Sequence, residues 1–195
     1  MDQASYFLTH PPRCIAGFIA RPTVLPDIEF DGHASKSQID IEVPLGVRIY
    51  APENVNIVFA LFCLCGANRH FAHGYRWVDS GFDDCAVFLS PLVLECTVCG
   101  KRTQVIDTDL HGYDSELGHG SATARAEGED AVFECANCGQ HQIEAYVRFE
   151  YSDDLIGGDF PRFAGREQEL FTWFNLIGKC SQCAHVMIIS DFECS

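Results

Sequence analysis

Polar and apolar positions along this chain fall into strand-length runs. In IDIEVPLGVRIY (39–50), Ile39, Ile41 and Val43 share one face, and Leu45, Val47 and Ile49 continue it. That alternation predicts a half-buried strand, or two strands broken near Pro44 to Gly46. NIVFALF (56–62) is apolar nearly throughout and predicts a buried strand. CAVFLSPLVLE (85–95), AVFE (131–134) and FTWFNLIGK (171–179) predict three more. RTQVIDTDL (102–110), HQIEAYVRFEY (141–151) and HVMIISDFE (185–193) complete the set. In FTWFNLI the period of two places Phe171, Trp173 and Asn175 on one face and Thr172, Phe174 and Leu176 on the other, as core packing; an exposed Trp173 would instead mark a partner surface. GHGSATARAEGED (118–130) and SDDLIGGDFPRFAG (152–165) read as loops, and REQEL (166–170) as one short helix. No long helical period occurs. Six of the eight prolines lie in the first 52 residues, which favours extended segments there over helices. The expected fold class is mostly β with few short helices. It has an N-terminal β region (1–55) and a second region (56–195), as two units or as one continuous domain.

The second region repeats a unit of strand, cysteine knuckle, strand. The knuckles are CLCG (63–66), CTVCG (96–100), CANCG (135–139) and CSQCA (180–184). Their spacing drifts, which excludes a solenoid of fixed period. Two cysteines in a tight turn can aim both sulfurs at one ion. Zinc takes four such soft ligands in a tetrahedron. A glycine after the second cysteine lets the chain turn away without Cβ crowding; Gly66, Gly100 and Gly139 stand there, with Ala184 in the fourth knuckle. The candidate metal ligands are therefore Cys96, Cys99, Cys135, Cys138, Cys180, Cys183, Cys63 and Cys65. Cys14, Cys85 and Cys194 have no ligand spacing, and Cys85 reads as a small buried hydrophobe.

These motifs resemble zinc ribbons, in which two β-hairpin knuckles of the form CxxCG clamp one zinc. The resemblance covers the four knuckled segments, under half the chain, and CTVCG with CANCG carry it best. CSQCA departs at the glycine and CLCG in spacing. Similar knuckles occur in many uncharacterised bacterial proteins, so the resemblance implies zinc-ribbon-like hairpins without assigning a function. Four knuckles permit three pairings. The pairing expected here joins Cys96 and Cys99 to Cys135 and Cys138, and Cys63 and Cys65 to Cys180 and Cys183, for two structural Zn2+ ions. His70, His73, His141 or His185 could substitute for the shortened first pair.

Charge narrows the partners. The formal net charge is -15, and residues 101–195 hold 17 of the 28 acidic side chains against 7 of the 13 basic ones. Such a field repels a phosphate backbone and attracts a basic partner surface. The start MDQASYFLTHPPRC has no basic stretch followed by an apolar one, and the longest apolar run, Ile57 to Cys65, is far short of a membrane span. A cytoplasmic, reducing setting is expected, in which close cysteine pairs bind metal or work as redox centres.

The one non-cysteine cluster is VIDTDLHGYDSELGH (105–119), with Asp107, Asp109, His111, Asp114, Glu116 and His119. As an extended strand, Asp107, Asp109 and His111 form a solvated row, with Ile106, Thr108 and Leu110 inward, then a turn at Gly112 to Asp114. Asp107 and His111 would then be about 13 Å apart, too far for one ion. No GxSxG, GxxxxGK[ST], HExxH or strand-borne GxGxxG occurs. The expected function is a zinc-binding, noncatalytic protein-interaction module: an adaptor, inhibitor or immunity-type factor meeting a basic protein. The alternatives are a nucleic-acid-binding zinc ribbon, with Arg69, Arg76 and Lys101 as its patch, and a metal-dependent enzyme built on the Asp107–His119 cluster.

Overall fold

A computed structural model describes residues 3–24, 54–76, 88–119, 130–152 and 163–194. The strand expected over 39–50 and Cys85 lie outside these residues, as do most of the two expected loops. The described chain is mostly β, a curled antiparallel sheet with two short helices. Helix α1 (Gln3–Thr9) precedes β1 (Ile19–Pro22); β2 (Val55–Phe62), β3 (Arg69–Arg76), β4 (Phe88–Cys96) and β5 (Arg102–Ile106) follow. Helix α2 (Tyr113–Leu117) leads to β6 (Ala131–Val132), β7 (Gln142–Tyr151), β8 (Trp173–Cys180) and β9 (Val186–Glu193). REQEL forms a single 3-10 turn, Glu167–Glu169.

Alternation explains the core. Ile57, Phe59 and Leu61 of β2, Ile143, Val147 and Phe149 of β7, Phe174 and Leu176 of β8 and Leu92 and Leu94 of β4 all point into one cluster. Phe149 sits at its centre, edge-on to Phe59, Phe171 and Phe174. Phe7 of α1 stacks on Tyr151 at 3.9 Å, docking the first helix onto the end of β7. NIVFALF is not buried on both faces: Asn56, Val58, Ala60 and Phe62 are half-buried. The outward Val58 joins a smaller cluster with Ile177 and Val186.

The ladders reveal a feature that the repeat only hinted at. β7 has β8 on one edge, paired from Ile143↔Cys180 to Glu150↔Trp173. Its other edge pairs with β2 from Val55↔Tyr151 to Leu61↔Ala145, and on the very next β7 residue with β3, at Arg69↔Glu144. So β2 and β3 run in one direction along β7, and the first knuckle is an excursion from a continuing strand, not the turn of a hairpin. β3 repeats the arrangement: β4 occupies one edge, and the other meets β7 at Phe71↔Gln142, then β6 at His73↔Val132. The third knuckle is therefore also an excursion. Only the second (β4–β5) and fourth (β8–β9) turn hairpins.

The two halves, β2–β5 and β6–β9, are topologically equivalent. The local two-fold of the β3–β7 ladder, centred on His70↔Ile143, exchanges Arg69↔Glu144 with Phe71↔Gln142. Cys96 lies opposite His70, and Cys180 opposite Ile143. The β4–β5 ladder slips between Leu92 and Val93, and β8–β9 slips at the equivalent step, between Leu176 and Ile177. The residues left without ladder partners, Val105 and Ile189, are both wholly buried. Bulges increase strand twist, and two at matched positions curl both arms of the sheet alike. Each half also lends its first strand to the other: β2 pairs with β7, and β6 with β3.

Gly112 shows how tightly α2 is seated. Its φ is +95°, and a Cβ there would lie 2.7 Å from Cys194 Cβ and 3.3 Å from Phe171. Gly118 also has a positive φ, +82°, but open space around it. Ala at Gly118 should cost about 1 kcal/mol of left-handed strain. Ala at Gly112 should cost about 1–3 kcal/mol more, from overpacking. Urea denaturation of the two variants tests the difference; equal losses would contradict it.

Candidate metal centres

Two cysteine tetrads are positioned to bind metal ions: Cys63, Cys65, Cys96 and Cys99, and Cys135, Cys138, Cys180 and Cys183. Within each, the four sulfurs lie within 4.8 Å of one another. Cys63 and Cys99 Sγ are 3.5 Å apart and Cys65 and Cys96 Sγ 3.6 Å. The equivalent pairs, Cys135 with Cys183 and Cys138 with Cys180, are 3.7 Å and 3.5 Å apart. A tetrahedron with metal–sulfur bonds of about 2.3 Å has edges of about 3.8 Å, whereas a disulfide needs about 2.05 Å. The donor set thus fits a four-thiolate ion in both places.

All eight cysteines expected as ligands are brought together, but the pairing differs from the expected one. Knuckle one joins knuckle two, and knuckle three joins knuckle four. The reason is the β3–β4 and β7–β8 ladders, which set Cys96 beside the start of β3 and Cys180 beside the start of β7. Each second hairpin thereby delivers its knuckle to the excursion that precedes the same pair of strands. The shortened CLCG knuckle completes its cage like the others. No histidine enters either tetrad. His70 is buried, His73 Nε2 meets Glu95 at 3.2 Å, and His141 Nδ1 lies 2.9 Å from the Phe133 carbonyl. The His185 backbone carbonyl accepts the Cys180 N–H at 2.8 Å.

The knuckles share one backbone construction. The N–H of the residue after the second cysteine donates to the carbonyl of the first: Gly66 to Cys63, Gly100 to Cys96, Gly139 to Cys135 and Ala184 to Cys180, at 2.8–3.0 Å. That residue has positive φ in all four, +90°, +69° and +71° at the glycines and 60° at Ala184. Thr97 and Ser181 brace the second and fourth knuckles identically. The Thr97 N–H and hydroxyl both donate to the Arg69 carbonyl, and those of Ser181 to the Gln142 carbonyl. The Val98 and Gln182 N–H groups each reach the first thiol of their knuckle at 3.4 Å.

In the first cage the Cys65 N–H favours the Cys63 thiolate, but desolvation and the adjacent sulfurs prevail and push Cys63 up to about 12. Cys96 goes the other way. Desolvation opposes its ionisation, yet the Cys99 and Val98 N–H groups bring it down to about 7. In the second cage the Asn137 side chain and the His185 N–H hold Cys183 down at about 6. A thiol near ionisation thus sits beside Cys63 in the first cage, and beside Cys135 and Cys138 in the second, all three raised by burial and neighbouring sulfurs, and a dication would displace their protons.

The acidic cluster is not the expected solvated strand face. β5 stops at Ile106, and Asp107 starts a turn: its carboxylate accepts the Asp109 N–H at 3.1 Å, and its carbonyl accepts those of Leu110 and His111. Asp107 is buried and Leu110 is 59% exposed, the reverse of the alternation. Asp side chains favour such local capture of the backbone over strand. His111 Nδ1 accepts the Asp107 N–H, and burial keeps its pKa low. Glu116, on α2, is clamped by Arg13 and Arg166. These groups hold α2 between the chain ends. The periodicity gave no sign of another buried network, on the outward side of β7. There Arg148 pairs with Glu150 and donates to Asn175 Oδ1 at 2.6 Å, and Asn175 donates to Asp191 at 2.9 Å. Trp173, half-buried, also donates to Asp191. The clue was a charged residue at both outward positions, 148 and 150.

No family model, curated protein or solved structure matches the chain.

Ala184 and His70 each support a test. Replacing Ala184 by Gly relieves about 1–2 kcal/mol of left-handed strain against about 0.4–1 kcal/mol of added unfolded-state freedom. At Gly100 (φ +69°) a Cβ would instead create that strain, so A184G should raise the denaturation midpoint and Gly100→Ala should lower it. His70 has both ring nitrogens unpartnered, and burial lowers its pKa to about 4 from 6.5. The folded state thus binds fewer protons than the unfolded one. The neutral imidazole costs nothing above pH 6.5, and stability is lost as pH falls from there toward 4. Between pH 7 and 5, wild type should lose on the order of 2 kcal/mol more than His70→Phe. Parallel denaturation curves at the two pH values check this.

Proposed function

We propose that both tetrads hold structural zinc and that the protein is a noncatalytic interaction module. The observation that carries this reading is the pair of closed, all-sulfur cages. Four soft donors leave no open position for a substrate or water, which is the character of a structural zinc site. The four sulfurs of each cage meet only in the folded chain, so metal binding free energy becomes folding free energy.

The interaction half rests on charge and on the knuckle tips. At net charge -15, the natural partner is a protein with a basic surface, in the manner of an adaptor, inhibitor or immunity-type factor. The two cages share one backbone plan, yet the first exposes Leu64 (55%) and Val98 (76%) at its tips. The equivalent stretches of the second carry Asn137 and Gln182. The cage itself does not require those apolar tips, and aliphatic exposure of this kind suits a protein contact. They offer no aromatic platform for bases. Arg69, Arg76 and Lys101 are exposed, but the overall charge opposes a polyanion, which keeps nucleic acid the weaker reading. An enzyme built on the Asp107–His119 cluster has less support, because Asp107, His111 and Glu116 are engaged in holding the turn and α2. A reducing, cytoplasmic setting suits eight free thiols. Among the described residues no helix is long and apolar enough to cross a membrane.

The test is metal content by mass spectrometry on protein purified without added metal, with a thiol count before and after chelation. Two zinc ions per chain, and eight thiols gained on chelation, are expected from the two tetrads. Metal-free protein with few reactive thiols would overturn the reading in favour of disulfides. A partner held by charge should be retained at low salt and released at high salt. Intrinsic turnover with no partner recovered would contradict the interaction role.

A further inference from the structure

We infer that the two metal sites are energetically coupled, so that the ions bind as a cooperative pair. This rests on the metal-binding reading above and concerns how the same sites are regulated. The route between the cages is short and continuous. Cys63 directly follows β2, and Cys96 ends β4, so an ion in the first cage ties these two strands together. Thr97, next to Cys96, donates twice to the Arg69 carbonyl. Arg69 is the first β3 residue on the ladder to β7, opposite Glu144. From the second cage, Ser181, next to Cys180, donates twice to the Gln142 carbonyl, and Gln142 lies opposite Phe71. Both cages thus brace the two ends of one three-rung ladder.

Strand exchange strengthens the link. β2 and β3, the strands on either side of knuckle one, together cover the edge of β7. β6 and β7, on either side of knuckle three, together cover the edge of β3. Closing the first cage fixes the join between β2 and β3, and so fixes the register offered to β7, which carries the second cage. The same holds in reverse. Register in a sheet is discrete, since a slip of one residue turns every side chain to the opposite face. The ladder is therefore an element whose equilibrium both ions bias, which is the physical requirement for coupling.

Coupling of this kind is reciprocal, and this makes the test sharp. The double variants Cys65→Ser/Cys99→Ser and Cys138→Ser/Cys183→Ser disable one cage each at its more exposed ligands. Zinc affinity of the remaining cage is measured by competition with a chromophoric chelator. It should fall by about tenfold or more relative to intact protein, by the same factor in both variants. In wild-type protein titrated with zinc under native mass spectrometry, the one-metal species should stay well below the statistical population. Unchanged affinity in the variants, or a one-metal species at or above the statistical level, overturns the coupling. The wild-type titration decides the matter if a variant fails to fold. Wild-type protein that takes up no zinc would instead overturn the metal-binding reading itself, a separate outcome.

Discussion

The structure depends on three rungs of hydrogen-bonded ladder between β3 and β7, from Arg69↔Glu144 to Phe71↔Gln142. Everything else is placed by reference to them. Each of the two strands takes a hairpin partner on its far edge, and that partner carries a cysteine knuckle back to the rungs. Each is preceded by an excursion that supplies the other knuckle. The aromatic core around Phe149 lies beneath one arm, and Phe7 and Tyr151 close its end. Hydrophobic burial provides the bulk of the driving force, as in any domain, but it does not choose which cysteines meet. The ladder does.

The chemistry follows from that geometry. A pair of cysteines on a tight turn is half a metal site, and only the meeting of two such turns makes a cage. Backbone N–H groups around Cys96, and the Asn137 side chain with the His185 N–H at Cys183, lower the proton affinity of one sulfur per cage, while desolvation and the neighbouring sulfurs raise that of Cys63 and Cys138. A bound dication would resolve the imbalance. The polar groups away from the cages serve the frame: Asp107 and His111 shape a turn, Glu116 joins two arginines, and Arg148 with Glu150 spans the outer side of β7.

Much of this was legible in the residues, for physical reasons. Strands announce themselves by apolar runs or a period of two, so β2, β4, β7, β8 and β9 lie close to where the pattern put them, and β5 follows it as far as Ile106. Cysteine spacing marked all eight sulfurs of the tetrads, CLCG included, and a following glycine marked the three knuckles that hold six of them. The pairing was not legible, because a knuckle looks the same whether its chain reverses or continues; only the ladder partners of Leu61 and Arg69 distinguish the two. The turn at Asp107 was misread as strand because Ile106, Thr108 and Leu110 keep the alternation after Asp107 has already captured the backbone. The network around Arg148 escaped because its residues lie on three strands, β7, β8 and β9, and meet only through the ladders.

The exchange of first strands has a further consequence. Two copies of one unit, each lending a strand to the other about a two-fold, is the arrangement a homodimer would adopt. Here both partners are written into one polypeptide. In a homodimer every substitution appears twice, so a change that suits a binding surface must also be tolerated at its symmetry mate. A fused pair is released from that constraint. One lobe can keep Asn137 and Gln182 over its sulfurs and serve the scaffold, while the other acquires Leu64 and Val98 and specialises. Two equivalent lobes in one chain thus carry an asymmetry of surface on a symmetric frame.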